Sequence, residues 1–492
     1  MQRSNRHFDN IIRRIRERDM ALGERHLRYA GGSVVLFYIK QLTDRSALAE
    51  QVIRPLMQCD KSGGLTAEQV AENVIFADDC LLDNNTEKVE QYILDGMTVL
   101  LFSGDNRYLV INLKTVEKRN TTEPVMAYTI RGPRDALVEN LDSNLSLLRY
   151  RLKSDNLRVD MLRVGRRNHT MVAVVYFEDI ANAHVVSEIK KRIGKIDVDG
   201  LSSSGELQTY LLNPKPGLFP QMGIVERSDM ACGAILEGKV VVIMDGSPWA
   251  LVAPKVFAEY LWTCDDFYLN KFFGIFLRIL RVIAMNMAFV VSSLYVAIVS
   301  FHSDTLPSAY MIAIAQSRAK VPFSALVEVL FIELIGEIIH ESLIRVPTKI
   351  GVAIGIVGAI IIGQAAVAAG VFSPLILIVI SLSLISSFVP ADYTIMDPLR
   401  ILKYLLILAT GTFGLYGFTL VIIFVLAQLV STNSFGVPFT APLAPFNLRD
   451  FVKSFIYSKS TAPYRANFLR TQDNTRGPVK PKDNNKPGSG AN

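Results

Sequence analysis

Five ionisable side chains lie in the stretch from Phe331 to Pro347, which is otherwise rich in Ile, Leu and Phe. These five residues are Glu333, Glu337, His340, Glu341 and Arg345. Carboxylates near a histidine can exchange protons, attract cations or pair with basic side chains. The stretch therefore raises three chemical hypotheses: proton transfer, cation binding and structural ion pairing.

The five ionisable side chains share one face of a predicted helix. At 100° per residue they fall within an arc of about 140°. A charged side chain at the centre of a bilayer costs about 2.5 kcal/mol or more, so this face should not meet lipid. We expect an amphipathic acidic helix over 322–345, interfacial or re-entrant. The alternatives are a water-lined vestibule and a proton relay.

The composition indicates a chain that is part soluble and part membrane-bound. Half of the 492 residues are hydrophobic, a fifth are charged, and the formal net charge is +6. Residues 449–492 carry nine Lys or Arg against three Asp, so this predicted tail accounts for the whole excess. A basic segment beside apolar spans is typical of a cytoplasmic flank.

No catalytic or metal-binding motif is found in the sequence. The patterns of P-loops, dinucleotide-binding turns, nucleophile elbows and zinc proteases are missing. The four cysteines, which are Cys59, Cys80, Cys232 and Cys264, are far apart and form no CxxC pair. We therefore predict no enzyme activity, no cofactor, no metal and no nucleic-acid partner.

The first half contains an internal repeat of strand-like and helix-like segments. Val34–Asp44 resembles Val172–Asn182 at an offset of 138, and Asp44 or Thr43 should cap the helix that follows. Thr98–Ile111 resembles Val240–Ala253 at an offset of 142, and each reads as a hairpin with a glycine turn. Two matched pairs predict two copies of one α/β subdomain, with an amphipathic helix between them that joins the copies or packs against a neighbouring subunit.

Four segments of the second half are long and apolar enough to be transmembrane helices, at about 1.5 Å per residue across about 30 Å of hydrocarbon. They are 282–301, 350–370, 374–390 and 402–430. Glycines 411, 414 and 417 either kink the last span or admit a close neighbour. Four spans place the N-terminal half and the basic tail on the same, cytoplasmic side.

The helix predicted over 350–370 is the candidate pore helix. One face gathers small residues that allow close helix packing, among them Gly351, Gly355, Gly358 and Ala366. The opposite face should meet either lipid or a central pathway, and rings of isoleucine there could gate a pore by dewetting. That face consists of Ala353, Ile356, Ile360, Gln364 and Val367.

Four long stretches resemble the A subunit of GerA-type spore germinant receptors. They read "TIRGPRDALVENLDSNLSLLRYRL", "PQMGIVERSDMACGAILEGKVVVIMDGSPWALVAP", "ESLIRVPTKIGVAIGIVGAIIIGQAAV" and "SFGVPF". They occur in the family's order, and the resemblance covers about Leu27 to Phe455.

The resemblance implies a membrane subunit of a nutrient receptor in the inner membrane of the bacterial spore. The implied partners are a transporter-like B subunit, a C-subunit lipoprotein and further copies of the chain in a ring. The implied activity is a germinant-gated cation channel; the alternative is a solute-binding transporter component that binds near Gln364. In this picture Glu333, Glu337 and Glu341 form an acidic collar at the mouth of the cation path.

The predicted organisation runs from two soluble subdomains through the membrane helices to a disordered tail. The boundaries are subdomain 1 at 1–118, the linker and its helix at 119–152, subdomain 2 at 153–266, a juxtamembrane helix at 267–281, the four spans, the acidic helix at 322–345, and a largely disordered basic tail at 449–492.

Overall fold

The computed structural model of the chain describes residues 22–29, 32–59, 66–85, 87–102, 105, 107–114, 132–212, 217–263, 265–267, 270–345, 363–455 and 464–476. These residues form two compact units. The first unit comprises Met1–Pro216, Met222–Lys255 and Pro463–Asn492; the second comprises Gly217–Gln221 and Val256–Ala462. The C-terminal segment thus belongs to the first unit, which the predicted boundaries did not anticipate.

The first unit is built on two five-stranded sheets in which every pairing is antiparallel. The first sheet contains β1 (Leu22–Tyr29), β2 (Gly32–Ile39), β3 (Cys80–Asp83), β4 (Thr98–Phe102) and β5 (Tyr108–Ile111); the second contains β6 (Leu157–Val164), β7 (Thr170–Phe177), β8 (Gly223–Val225), β9 (Val240–Met244) and β10 (Ala250–Ala253).

The two sheets have the same topology. Their strand orders are β1-β2-β4-β5-β3 and β6-β7-β9-β10-β8. The register repeats as well, because Val34 lies opposite Phe102 and Val172 lies opposite Met244. The sequence alignment of Val34 with Val172 agrees with this arrangement. The first half of the chain, which was predicted to be α/β, therefore consists of two repeats in tandem, each an antiparallel sheet with helices.

Helices cover these sheets and begin where short polar side chains cap them. As predicted, Asp44 is an N-cap: its Oδ1 accepts from the backbone N of Ser46 and of Ala47, each at 2.9 Å. The helix that it caps contains a π-helical turn. The helices are α1 (45–57), α2 (Ala67–Asn73), α3 (Lys88–Leu94), α4 (Leu141–Arg151), α5 (Ala183–Ile193), α6 (Ser204–Leu212) and α7 (Ser228–Leu236).

The linker helix α4 contacts both repeats. Leu141, Leu145 and Leu148 are buried in the core of the second repeat. On another side, the Ser146 hydroxyl donates to the backbone oxygen of Gln41 in the first repeat. Of the two alternatives left open by the sequence, this geometry favours a helix that joins the two copies.

A polar network fastens the C-terminal end of α4 to α7. Arg151 donates from Nη2 to Asp135 Oδ2 at 2.6 Å and from Nε to Ser228 Oγ at 3.0 Å. Burial raises the pKa of Asp135, but hydrogen bonds from Arg151 and Ser228 and the charge of Arg151 lower it by more. The Asp135 carboxylate is therefore held in its charged form.

The second unit is a bundle of helices. Its helices are α8 (Lys271–Ser300), α9 (Ser308–Arg318), α10 (Ala325–Arg345), α11 (363–368), α12 (Pro374–Ser387), α13 (Met396–Ser431) and α14 (Leu448–Phe455).

Contacts along the bundle establish the direction of each helix. On α10, Val329 packs with Tyr295 of α8, whereas Glu333 accepts from the earlier residue Ser292. The two helices are therefore antiparallel. Helix α12 also runs against α8, because Ile376 packs with Tyr295 while Ser383 donates to Ala288 O at 2.9 Å.

Helix α13 reverses direction at Gly414. Gly414 has φ 61° and ψ −145°, a conformation that is almost restricted to glycine. Both ends of α13 lie near Tyr260: the Asp392 N donates to Tyr260 O at 3.3 Å, and the rings of Tyr260 and Phe439 are 6.1 Å apart. A straight helix of 36 residues would separate its ends by about 54 Å. The chain therefore forms a helical hairpin.

The glycines next to the reversal permit close packing. A Cβ on Gly417 would lie 2.0 Å from the backbone oxygen of Ala409, so the two halves touch backbone to backbone. A Cβ on Gly411 would lie 2.4 Å from a methyl of Leu326 on α10. The sequence-based expectation of a kink or a close neighbour is met at these positions, and the segment predicted as one span over 402–430 reverses direction within its length.

Two of the described helices, Phe272–Ser300 and Met396–Ser431, are long and apolar enough to cross a membrane, and Pro374–Ser387 is a shorter apolar helix. The predicted span 282–301 overlaps the first of these, which ends at Ser300, and 374–390 overlaps α12. Most of the predicted span 350–370 lies outside the described residues.

The prediction of a largely disordered tail over 449–492 is wrong for two segments. Helix α14 ends at Phe455, and residues 464–476 pack on the second repeat. Arg465, Ala466 and Leu469 of this segment are all buried. We call residues 464–476 the C-terminal strap.

Candidate functional site

The charged face of α10 points into the bundle, where it meets α8 and α13. Lys403 Nζ donates to Glu333 Oε2 at 2.6 Å, and Ser292 Oγ donates to Glu333 Oε1 at 2.5 Å. The side chains of Lys403 and Glu333 are 7% and 4% exposed. One carboxylate thus joins three helices, with each oxygen satisfied by a donor from a different helix.

A second ion pair lies one helical turn further along α10. Arg400 of α13 donates from Nε to Glu337 Oε1 at 2.9 Å and from Nη2 to Glu337 Oε2. The Arg400 Nη2 also lies 3.1 Å from Nδ1 of His340, and the His340 ring stacks on Phe388 with centroids 5.3 Å apart. The bidentate geometry fixes the guanidinium in one orientation.

A second fully buried carboxylate, Glu328, lies near the first turn of α10. Its Oε1 accepts from the backbone N of Ser373 at 2.7 Å, at the N-terminus of α12. Arg318 Nε lies 3.4 Å from the other oxygen. A negative group at a helix N-terminus is stabilised by the unpaired N–H groups there. Glu328 therefore fixes the start of α12 against α10.

These contacts form a seam of alternating charge, which we call the ion-pair seam: Ser292, Glu333, Glu337, His340, Arg400 and Lys403. A narrow crevice beside it is lined by Glu337, His340, Arg400 and Lys403 together with Leu384 and Ser387. Each carboxylate of the seam has a cationic partner, so the seam has no net attraction for a free cation.

The prediction of an acidic collar therefore requires correction. Glu333 and Glu337 are engaged by Lys403 and Arg400 inside the bundle, because a buried carboxylate is strongly destabilised unless it is paired. Of the three predicted collar residues only Glu341 is exposed. The helix that was expected to lie at an interface or to be re-entrant packs along α8 and α13 instead.

The candidate pore helix is described only at its C-terminal end. Residues 346–362 lie outside the described residues, and they include Gly351, Ala353, Gly355, Ile356, Gly358 and Ile360. In α11, Ala366 packs against the bundle core, Gln364 is exposed and Val367 is half-buried. Two further small residues of this segment, Ala365 and Ala369, are exposed. Gln364 thus lies at the surface of the single chain, which gives no support to a solute pocket around it.

Sequence reasoning missed Ser292, Arg400 and Lys403 as partners of the acidic face. One signal was available in the sequence. Glu333 and Glu337 are four residues apart, and Arg400 and Lys403 are three residues apart, each pair in an apolar helix. Opposite charges at helical spacing on two apolar segments predict that the segments pair.

Comparison with known proteins identifies the family. Residues 5–466 match the family model described as Bacillus/Clostridium GerA spore germination protein. The chain belongs to the GerA family.

Relatives within the GerA family cover most of the chain. Spore germination protein KA of Bacillus subtilis (strain 168) is 33% identical over 432 residues, which are 87% of this chain and 78% of that protein. Spore germination protein GerLA of Bacillus cereus is 33% identical over 467 residues, which are 94% of each chain.

A solved structure also matches part of the chain. It is the N-terminal domain of the A subunit of the Bacillus megaterium spore germinant receptor GerK3. The match has 25% identity and a TM-score of 0.39, and it covers 50% of this chain and 93% of that one.

Proposed function

We propose that this GerA-family chain is the membrane subunit of a nutrient germinant receptor, and that it triggers germination by forming an oligomeric, germinant-gated cation channel. The proposed location is the inner membrane of the spore. The proposed partners are a transporter-like B subunit, a C-subunit lipoprotein and further copies of the chain.

The ion-pair seam is the observation that carries the channel proposal. Lys403 places a positive charge in the interior of the bundle and half-buried Arg400 places a second one beside it, each held by a carboxylate. A cation that moved through this interior would meet both positive groups in a medium of low dielectric constant. The path is therefore proposed to run between copies of the chain rather than through one copy.

The helix that ends in α11 is proposed to line this path. Its described end turns Ala366 toward the bundle and leaves Gln364 on the surface of the chain. In a ring of copies, each subunit would contribute Gln364 and the preceding isoleucines to the wall of the path. Ile356 and Ile360 would close the path by dewetting, and germinant binding on a partner would shift the ring toward an open state.

The helix directions support six membrane passes in place of the four predicted. These are α8, α10, the segment predicted as a helix over 350–370, α12 and the two halves of α13. Helix α10 enters the bilayer as an ion-paired member of the bundle, and α13 contributes two passes because it reverses at Gly414. Because two passes are added, the two ends of the chain still lie on the same side of the membrane. The contact of the strap with the second repeat supports this arrangement, and that side is proposed to be the spore core.

Replacement of Ile360 by Ala tests the proposal. Spores with Ile360→Ala should release monovalent cations without germinant, because a narrower side chain weakens a dewetted gate. Ile378→Ala is the matched control, since Ile378 is 66% exposed on α12 and is proposed to face lipid. Normal dormancy of Ile360→Ala spores with wild-type protein levels would contradict the gate, and a monomer in mild detergent would contradict the ring.

A further inference from the structure

The tandem repeat presents the same surface twice. Gly96 and Gly238 are equivalent at the offset of 142, and both have left-handed backbones, with φ of +86° and +89°. They are preceded by Asp95 and Glu237. The adjoining residues Leu42 and Ile180 are equivalent at the offset of 138. An acidic residue, a left-handed glycine and an aliphatic side chain thus define one face on each repeat.

In the first repeat this face is covered by residues that lead into the second repeat. Lys153 Nζ pairs with Asp95 Oδ1 at 2.7 Å, and Ser146 donates to the backbone oxygen of Gln41. Lys114 of the first repeat lies 4.7 Å from the ring centroid of Tyr150. The linker helix and its C-terminal extension are therefore the cover of the first face.

In the second repeat the equivalent face is covered by the C-terminal strap. Arg476 Nη2 donates to Glu237 Oε1 at 2.6 Å, which repeats the pairing of Lys153 with Asp95. The backbone N of Gln472 donates to Ile180 O at 3.0 Å. A Cβ on Gly238 would lie 2.5 Å from a methyl of Thr471, so the strap approaches that glycine closely.

We propose that the second repeat carries a peptide-binding surface whose ligand is the strap, residues 464–476 of the same chain. The strap supplies the cover that the linker helix supplies to the first repeat. This inference goes beyond the receptor function, because it assigns a binding site and its ligand in the soluble unit.

The strap has the features of a specific ligand. Arg465 donates from Nε to Leu236 O at 3.0 Å, at the C-terminal end of α7, where helix carbonyls lack partners and a positive charge is favoured. The same guanidinium donates to the backbone oxygens of Asp473 and Thr475, which holds the strap in a compact loop. Leu469, 3% exposed, supplies an apolar anchor.

The binding surface is tested with a chain that ends at Pro463 and a fluorescent peptide of sequence YRANFLRTQDNTR. The peptide should bind saturably to the shortened chain and not to the intact chain, where the site is filled. Arg465→Ala in the peptide, or Glu237→Ala in the chain, should weaken binding tenfold or more. Asp95→Ala is the matched control and should leave binding unchanged, because its face is covered by the linker helix.

Equal binding to the intact and shortened chains, or equal loss with Asp95→Ala and Glu237→Ala, would overturn the proposal. A second measurement covers the case in which the shortened chain does not fold. In an intact chain whose native cysteines are replaced by serine, Glu237→Cys with Arg476→Cys should be joined by a bismaleimide cross-linker that bridges the gap left by the two shortened side chains, whereas Asp95→Cys with Arg476→Cys should not be joined. Failure of the first pair to link would also overturn the proposal.

Discussion

Glu333 and Lys403, seventy positions apart in the chain, form an ion pair of 2.6 Å in which both side chains are more than nine-tenths buried. The Ser292 hydroxyl satisfies the second carboxylate oxygen. Three helices of the bundle therefore depend on one carboxylate, and the pair explains why an acidic helix can lie inside an otherwise apolar assembly.

Removal of one partner of this pair should lower the stability of the bundle more than removal of both. Lys403→Met leaves a buried carboxylate unpaired, which costs about 3–5 kcal/mol, and Glu333→Gln leaves a buried ammonium unpaired. The double variant leaves neither charge and should recover most of the loss. The thermal unfolding midpoint of the purified protein in detergent measures these effects.

Arg166→Ala is the control for the ion pair, because Arg166 and Asp197 form an exposed pair in the first unit. Exposed pairs contribute little, so the midpoint should not move. Single Glu333 or Lys403 variants with wild-type midpoints would show that the pair does not hold the bundle together.

The reversal at Gly414 predicts the sides on which two positions of α13 are accessible. With the hairpin, Tyr416→Cys near the turn should react with an impermeant thiol reagent from outside, and Ser431→Cys should react only from inside. A single straight span would bury position 416 in the bilayer and expose position 431 outside. Labelling of each variant in intact and permeabilised cells distinguishes the two arrangements.

Side-chain bulk at Gly417 should separate the two halves of α13. The Cβ of Gly417→Ala would meet the Ala409 backbone oxygen, which cannot move without displacing the helix. Gly411→Ala is the control with a milder clash, because its Cβ would meet the flexible end of the Leu326 side chain, which can move aside. We expect a large fall in folded protein for Gly417→Ala and a small one for Gly411→Ala, as measured by size-exclusion chromatography. The reverse order would contradict the proposed close contact.

Acid should weaken the attachment of α4 to α7. The pKa of Asp135 is lowered from 3.8 on folding, so its contribution to stability is present above that pH and is lost as the pH falls below it. Asp135→Asn should therefore be less stable than the wild type at neutral pH and approach it in acid. A stability difference between the two proteins that does not change with pH would exclude this role of Asp135.

The sequence predicts local features well and distant partners poorly. The alignment of Val34 with Val172 and the Asp44 cap could be inferred because each depends on a few adjacent residues. The charge spacing could have indicated that the two helices pair, but not which residue contacts Glu333, because Lys403 is seventy positions away and no local pattern links the two side chains. The hairpin in α13 was missed because a one-residue turn at Gly414 leaves an uninterrupted apolar run, which has the pattern of one long helix.

The strap escaped prediction for a related reason. Residues 464–476 are polar and include Asn, Thr and Arg, a composition that is typical of a disordered end. Their order depends on acceptors elsewhere in the chain, such as Leu236 O and Glu237, which no local pattern reveals.

In the proposed six-pass topology, the reversal at Gly414 also sets the side of the membrane on which the C-terminus lies. If α13 were extended into one pass, the last residues of the chain would be translocated and the strap could never reach its own soluble domain. Docking of Arg465 under α7 is thus attainable only for a molecule whose last hairpin has been inserted completely. In that topology, the accessibility of the strap would report whether both crossings of the last hairpin are present in a given molecule.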